Sequence, residues 1–216
     1  MAVLSGAMGV WTCVAVLGCT SFLVEGAPAH SKAKIVVFGD SLTEGGLDDQ
    51  KSYTNFLQQK LDAKGLPYEI VNQGISGDTT TGGVGRMRAA IAVKPEIVIL
   101  ELGGNDGLRG IPVASSKKNL ETLIQAFQNA GIRVLLAGMS LPPNYGPDYI
   151  KRFEAMYQDL AKTYKVPLIP FLLSDLAAQL RKNPSLLKPD GIHPSNEGNR
   201  IVADTVWRYL EPMLRR

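Results

Sequence analysis

Histidine and cysteine are nearly missing from this chain of 216 residues, which has two of each. Both cysteines, Cys13 and Cys19, and one histidine, His30, fall at its beginning. Beyond them the chain has no thiol and a single histidine, His193. That excludes a disulfide, a Cys-based metal site and a zinc site built on His and Cys in the body of the chain. No metal and no organic cofactor is expected. An excess of one charge is also lacking: 23 Lys+Arg against 20 Asp+Glu leave a net charge of +3. No basic cluster alternates with stacking aromatics, so nucleic acid is not an expected partner. The pairs Lys117-Lys118, Arg181-Lys182 and Arg215-Arg216 read as solvated helix surface.

Charged side chains are absent from the first 24 positions, Glu25 being the first. The stretch 8–24 is apolar with small residues, and Ala27-Pro28-Ala29 follows as an A-x-A-like cleavage site. Residues 1–29 are therefore expected to be a signal peptide, making the protein exported, periplasmic or secreted. The segment departs from the usual pattern in having no Lys or Arg at its start. Val16-Leu17-Gly18-Cys19 resembles a lipoprotein box, which would leave a lipid anchor on Cys19. A retained membrane anchor is the other alternative, because the apolar stretch sits at the lower limit for spanning a bilayer. Membrane association would then run through this leader alone. The remainder, 45% hydrophobic and 20% charged over the whole chain, reads as one soluble globular domain, expected to be a monomer.

What the body of the chain does have is alternation. Residues 34–39 form a β-branched apolar run, as a buried parallel strand requires, and similar runs follow at 68–72, 96–102, 133–138 and 166–171. Between them lie helical periods. Leu120, Leu123, Ile124 and Phe127 fall on one helix face, and Gly131 supplies a stop. Val84, Met87 and Ile91 repeat in the same way, as do Phe153, Met156, Tyr157 and Leu160. A last helix over 196–214 turns Ile201, Val202, Thr205, Val206, Tyr209 and Leu210 inward. Strands alternating with helices predict an α/β chain: a single three-layer α/β/α domain on a five-stranded parallel, flavodoxin-like sheet.

In such sheets ligands bind outside the carboxyl ends of the strands. The polar, glycine-rich segments at those ends are Gly39-Asp40-Ser41-Leu42, Ile75-Ser76-Gly77-Asp78, Gly103-Gly104-Asn105-Asp106 and Pro189-Asp190-Gly191-Ile192-His193-Pro194. Ser41 follows a strand directly; it suits a helix N-cap, and equally a nucleophile at a helix N-terminus, where unpaired N–H groups favour an oxyanion. A serine hydroxyl needs a base, and His193 is the sole candidate near neutral pH. Asp190 lies three residues earlier, where a Pro-Asp-Gly turn would fold its carboxylate onto the imidazole. Ser41 N–H, Gly77 N–H and the Asn105 amide are candidate oxyanion donors. The nucleophile elbow G-x-S-x-G is absent at every serine, which excludes the α/β-hydrolase pattern.

These four segments, in this order, resemble the four blocks of the SGNH, or GDSL, hydrolases, and the resemblance runs over about 34–214. The stretches Glu101-Leu102-Gly103-Gly104-Asn105-Asp106-Gly107-Leu108-Arg109-Gly110 and Leu141-Pro142-Pro143-Asn144-Tyr145-Gly146 are most similar to the bacterial thioesterase, lysophospholipase and arylesterase branch. The resemblance implies Ser41 as nucleophile, His193 as base, Asp190 as its orienting acid, and an oxyanion hole of Ser41, Gly77 and Asn105. It further implies a flexible loop over 78–83 and substrate contacts from Asp78, Thr79, Leu108, Leu141, Pro142 and Tyr145. The expected activity is hydrolysis of aryl and short-to-medium acyl esters, lysophospholipids and acyl thioesters through an acyl-enzyme. Two alternatives stay open. One is a carbohydrate O-acetylesterase on the same machinery, against which Trp207, the one tryptophan outside the leader, counts. The other is a flavodoxin-like module binding a phosphate or flavin, which the run Gly82-Gly83-Val84-Gly85 suggests only faintly.

Overall fold

The computed structural model describes residues 1–3, 32–45 and 52–215. The chain divides into two units, Met1–His30 and Ser31–Arg216, and the fold below is that of the second. The leader reading and Cys19 lie outside the described residues, apart from positions 1–3.

Five strands, β1 (Ala33–Gly39), β2 (Tyr68–Gly74), β3 (Ile97–Glu101), β4 (Arg133–Ala137) and β5 (Leu168–Ile169), pair in the order β2-β1-β3-β4-β5, every pair parallel. Ile35 to Phe38, Ile97 to Leu100 and Leu135 to Ala137 have no solvent exposure. Their apolar runs face helices on both sides, so nothing in them alternates. The chain moves from β1 to β2 at one edge and then returns past β1 to β3, so the strand order reverses between β1 and β3. A crevice at that reversal is where such sheets bind ligands.

After β1 come a short turn of helix, α1 (Ser41–Glu44), and α2 (Tyr53–Ala63); α3 (Thr80–Ala92) links β2 to β3. The helices α4 (Gly104–Leu108) and α5 (Val113–Asn129) lead to β4, and α6 (Pro147–Tyr164) leads to β5. The chain finishes with α7 (Ser174–Gln179) and α8 (Asn196–Leu210). α3, α5 and α6 pack side by side in one layer, and α2, α7 and α8 in the other. Phe38 of β1 meets Phe127 of α5 edge-to-face at 5.7 Å, which keys one helical layer onto the sheet.

Three departures from the sequence reading have a local physical cause, while the other four strands match it to within two residues. β5 keeps only Leu168–Ile169 of the expected 166–171, because it pairs on one side only and its chain turns away at Pro170. The last helix ends at Leu210 and a 3-10 turn, Glu211–Met213, follows, since Pro212 cannot donate to a continuing helix. The loop expected over 78–83 is helical from Thr80 onward, capped by Thr79, whose hydroxyl accepts from the Gly82 N–H.

Candidate active site

β1 delivers the turn that carries Ser41. Asp40 caps α1: its Oδ1 accepts the Leu42 N–H at 3.0 Å. Ser41 is therefore the first helical residue, and its N–H is among those that a helix start leaves without an intrahelical acceptor. Under the turn lies Glu101, the last residue of β3 and the register partner of Gly39. Its Oε2 accepts the Asp40 N–H at 3.1 Å and the Thr43 hydroxyl at 2.9 Å. Gly39 makes room for this: a Cβ there would stand 2.3 Å from Glu101 Oε2 and 2.2 Å from Thr43 Oγ1.

His193 arrives from the far end of the fold. Residues 187–194 fold back on themselves through an antiparallel bridge between Leu187 and Pro194, and Lys188 N–H donates to the His193 carbonyl at 2.8 Å. Ser195 closes this loop as the N-cap of α8. His193 Nε2 lies 2.8 Å from Ser41 Oγ, and its Nδ1 lies 2.8 Å from Asp190 Oδ2. Asp190 Oδ1 accepts the N–H groups of Ile192 at 2.8 Å and His193 at 2.9 Å. Those backbone bonds, His193 N–H first, hold the Asp190 carboxyl down at about 2. It is an anion at any working pH. The turn and the His–Asp pairing are thus one structure, as the Pro-Asp-Gly reading requires.

Gly77 and Asn105, the other two residues expected as oxyanion donors, stand on the turns that follow β2 and β3. Gly77 has φ +73°, a conformation suited to glycine, and its N–H has no acceptor among the described residues. Its carbonyl points away and accepts from Arg109 Nη2 at 2.9 Å. Asn105, in α4 beyond β3, gives one amide hydrogen to Asp40 Oδ2 at 3.0 Å, leaving its second for another acceptor. Asp40 is almost wholly buried, and burial raises its carboxyl from 3.8 to about 6 against the pull of the Leu42 and Asn105 bonds.

Buried ionic groups hold this geometry from behind. Arg86 of α3 pairs with Asp78 at 2.7 Å and donates to the carbonyls of Gln73 at 2.8 Å and Gly39 at 2.9 Å, its guanidinium lying over the Phe38 ring. One side chain thereby ties the ends of β1 and β2 to the turn after Gly77. Asp106 accepts from Thr80 N–H and from the Thr80 and Ser116 hydroxyls, joining α3, α4 and α5. Sequence reasoning passed over Glu101 and Arg86. Glu101 had left a signal: it is the one charged residue closing the apolar run Ile97-Val98-Ile99-Leu100.

An apolar cavity of about 460 Å³ opens beside the site, between Leu108, Met139, Leu141, Leu176 and Ile192. Pro142 also lines it, so Leu108, Leu141 and Pro142, three of the residues expected to contact substrate, share one apolar cavity. Tyr145 does not line it; its hydroxyl donates to the Leu108 carbonyl at 2.8 Å. Asp78 and Thr79 do not line it either, one being spent on Arg86 and the other on capping α3. A smaller recess of about 90 Å³ is lined by Ser41 itself together with Glu44, Ser76, Lys188 and His193. Trp207 is buried in α8 with its indole N–H on Glu211, so it offers no sugar platform. Among the described residues, no group of three or more His, Cys, Asp or Glu side chains is arranged to hold a metal.

A hydroxyl hydrogen-bonded to a carboxylate-oriented imidazole, at the switch point of a parallel sheet and beside an apolar cavity, is the equipment of a serine hydrolase of esters. Comparison with known proteins agrees and narrows the class. Residues 37–201 match the GDSL-like Lipase/Acylhydrolase family, and the chain belongs to that family. It is 39% identical to Esterase TesA of Pseudomonas aeruginosa, over 91% of this chain and 96% of that protein. It is 34% identical to Thioesterase 1/protease 1/lysophospholipase L1 of Escherichia coli, over 83% and 84% of the two chains. Among solved structures it resembles the psychrotrophic esterase EstA from Pseudoalteromonas, inhibited by monoethylphosphonate, with TM-score 0.77 and 31% identity over 83% of this chain and 97% of that one. The family favours neither the flavin- or phosphate-binding module nor the carbohydrate O-acetylesterase of the sequence reading.

Proposed function

We propose that this esterase works through an acyl-enzyme on Ser41, with Asp190 and His193 as its partners. The observation that carries this reading is the unbroken line Ser41 Oγ–His193 Nε2 and His193 Nδ1–Asp190 Oδ2, each link 2.8 Å. Ser41 Oγ attacks the carbonyl carbon as its proton passes to His193 Nε2. The Asp190 carboxylate holds the other ring nitrogen protonated and steadies the imidazolium. Ser41 N–H, Gly77 N–H and the second Asn105 amide hydrogen receive the oxyanion. The tetrahedral intermediate expels the alcohol or thiol, which takes the proton from His193. A water then repeats the sequence on the acyl-serine and releases the acid.

The apolar cavity supports acyl groups longer than acetyl, since Leu108, Leu141, Pro142 and Ile192 offer a chain nothing polar to solvate. The substrate range we propose is aryl and short-to-medium acyl esters, lysophospholipids and acyl thioesters, with no cofactor. We also propose that the enzyme is exported and acts as a monomer. The uncharged first 24 residues, the Ala27-Pro28-Ala29 site and a family match that starts only at residue 37 support export.

A fluorophosphonate probe tests the mechanism. It should label the parent once, at Ser41, and leave Ser41→Ala unlabelled and inactive on p-nitrophenyl butyrate. Turnover by folded Ser41→Ala at the parent rate would end the proposal. Comparing p-nitrophenyl esters, acyl-CoAs and lysophospholipids then ranks the substrate classes, and a preference for acetyl over octanoyl esters would count against the cavity as an acyl site.

A further inference from the structure

Glu101 is a fully buried acid with no cation against it among the described residues. Its Oε2 is satisfied by the Asp40 N–H and the Thr43 hydroxyl, and Tyr53 completes the row by lying 2.9 Å from Thr43 Oγ1. Its Oε1 is buried with no hydrogen-bond partner among the described residues. Asp40, on the turn after β1, is the titratable group that acts on it, and Glu101 in turn acts on Tyr53 of α2 and Tyr157 of α6, all of them acids. An anion so enclosed would have one oxygen desolvated and unpaired. A protonated carboxyl removes the larger cost, that of the desolvated charge, and still offers Oε2 as the acceptor.

We propose that Glu101 is a positioning residue that works as a neutral carboxylic acid, fixing the backbone of the Asp40–Ser41 turn from below through Oε2. Burial, and after it the Asp40 carboxylate, push its titration well above the ordinary carboxylate range, in keeping with this. Glu101 touches no substrate. It acts through the Asp40 N–H, and thus on the direction of Ser41 Oγ and Ser41 N–H. Gly39 belongs to the same device, because any side chain there would occupy the space of Oε2.

The inference rests on Ser41 being the nucleophile, so the experiment includes Ser41→Ala beside Glu101→Leu and Glu101→Gln. Leu removes the acceptor. Gln keeps it as an amide oxygen, and its NH₂ takes the place of the unpaired oxygen without any charge. Folding is checked by circular dichroism and melting, and kcat and KM are read below the lowest melting point. In Glu101→Leu, kcat should fall by about 10²-fold with KM nearly constant, the scale of a misdirected reacting group. The rate of fluorophosphonate labelling should fall alongside. Glu101→Gln should recover to within about threefold of the parent kcat, since its acceptor holds the turn in place. A folded Glu101→Leu enzyme with the parent kcat would overturn the positioning role. A Glu101→Gln enzyme as impaired as Glu101→Leu would show that the charge is needed, and would overturn the neutral-acid role. If Glu101→Leu does not fold, Glu101→Gln decides alone by the same criterion. Turnover by Ser41→Ala would instead defeat the serine reading, whatever Glu101 does.

Discussion

Asp40 and Asn105 are joined by a hydrogen bond of 3.0 Å between the carboxylate that caps the Ser41 turn and an amide carried by α4, beyond β3. The two turns are therefore not independent: one carboxylate orders both. Asn105→Ala should lower kcat by about 10²–10³-fold with little change in KM, the scale for losing one oxyanion donor. Asp40→Ala should cause a similar loss although it removes no donor, because Asn105 is then unrestrained. Steady-state kinetics on one soluble ester checks both, and an Asp40→Ala kcat equal to the parent's would separate the turns again.

Asp40 also brings a pH dependence whose two parts run in opposite directions. Its folded-state value of about 6 lies above its ordinary 3.8, so the folded chain keeps this proton longer than the unfolded chain does. Stability from protonated Asp40 is present below about pH 4 and is lost as the pH rises through about 6. Activity needs the anion, which alone accepts from both Leu42 and Asn105. As pH falls, log kcat should drop with the loss of two required states, an ionised Asp40 and an unprotonated His193. In Asp40→Asn one of them is gone, so the acid limb should be shallower. An identical slope in parent and variant would count against Asp40.

Arg86 and Asp78 are mostly buried, with side-chain exposures of 18% and 9%. Arg86→Met strands a carboxylate and two carbonyls at once, so it should destabilise the fold by about 3 kcal/mol, within the range for breaking a buried pair. Arg86→Lys should restore little of this, because one ammonium cannot reproduce a fork spread over three acceptors. Urea unfolding measures both; a loss under about 0.5 kcal/mol, the size of an ordinary surface change, would contradict the clamp.

Leu108 and Ile192 are exposed by 40% and 56%, yet both edge the apolar cavity. Converting either to serine should hardly change stability. For decanoyl esters it should lower kcat/KM by about fivefold, roughly the worth of one or two CH₂ groups removed from apolar contact. Acetyl esters should be nearly indifferent. Equal losses for both chain lengths would mean that the residues shape the catalytic turns rather than the acyl site.

Much of this was legible from the chain alone. The runs ending at Phe38, Leu100 and Leu136 are apolar because both their faces are covered, and that pattern requires no knowledge of partners. The Asp190–His193 pairing was legible because it is local, contained in a single turn. β5 was overdrawn because a strand's length depends on what pairs with it, and Val166 and Phe171 lie outside its two-residue pairing with β4. The loop assigned to 78–83 became helix because Thr79 caps it and Asp106, far away in sequence, receives the Thr80 N–H. Arg86 and Glu101 stayed hidden for the same reason. Their value comes from backbone groups on neighbouring strands, and a sequence does not display which carbonyl or N–H will stand opposite a side chain.

Ser41 and His193 are 152 positions apart, and the histidine's loop is closed by the cap of the final helix, α8. A ribosome that has made the sheet and most of its helices has still made no catalyst. Every element up to β5 can be in place while the serine hydroxyl has nothing to take its proton. On the proposed mechanism, hydrolysis therefore waits for the segment that carries His193 and for the Ser195 cap that closes its loop, and a chain cut before them should show no turnover.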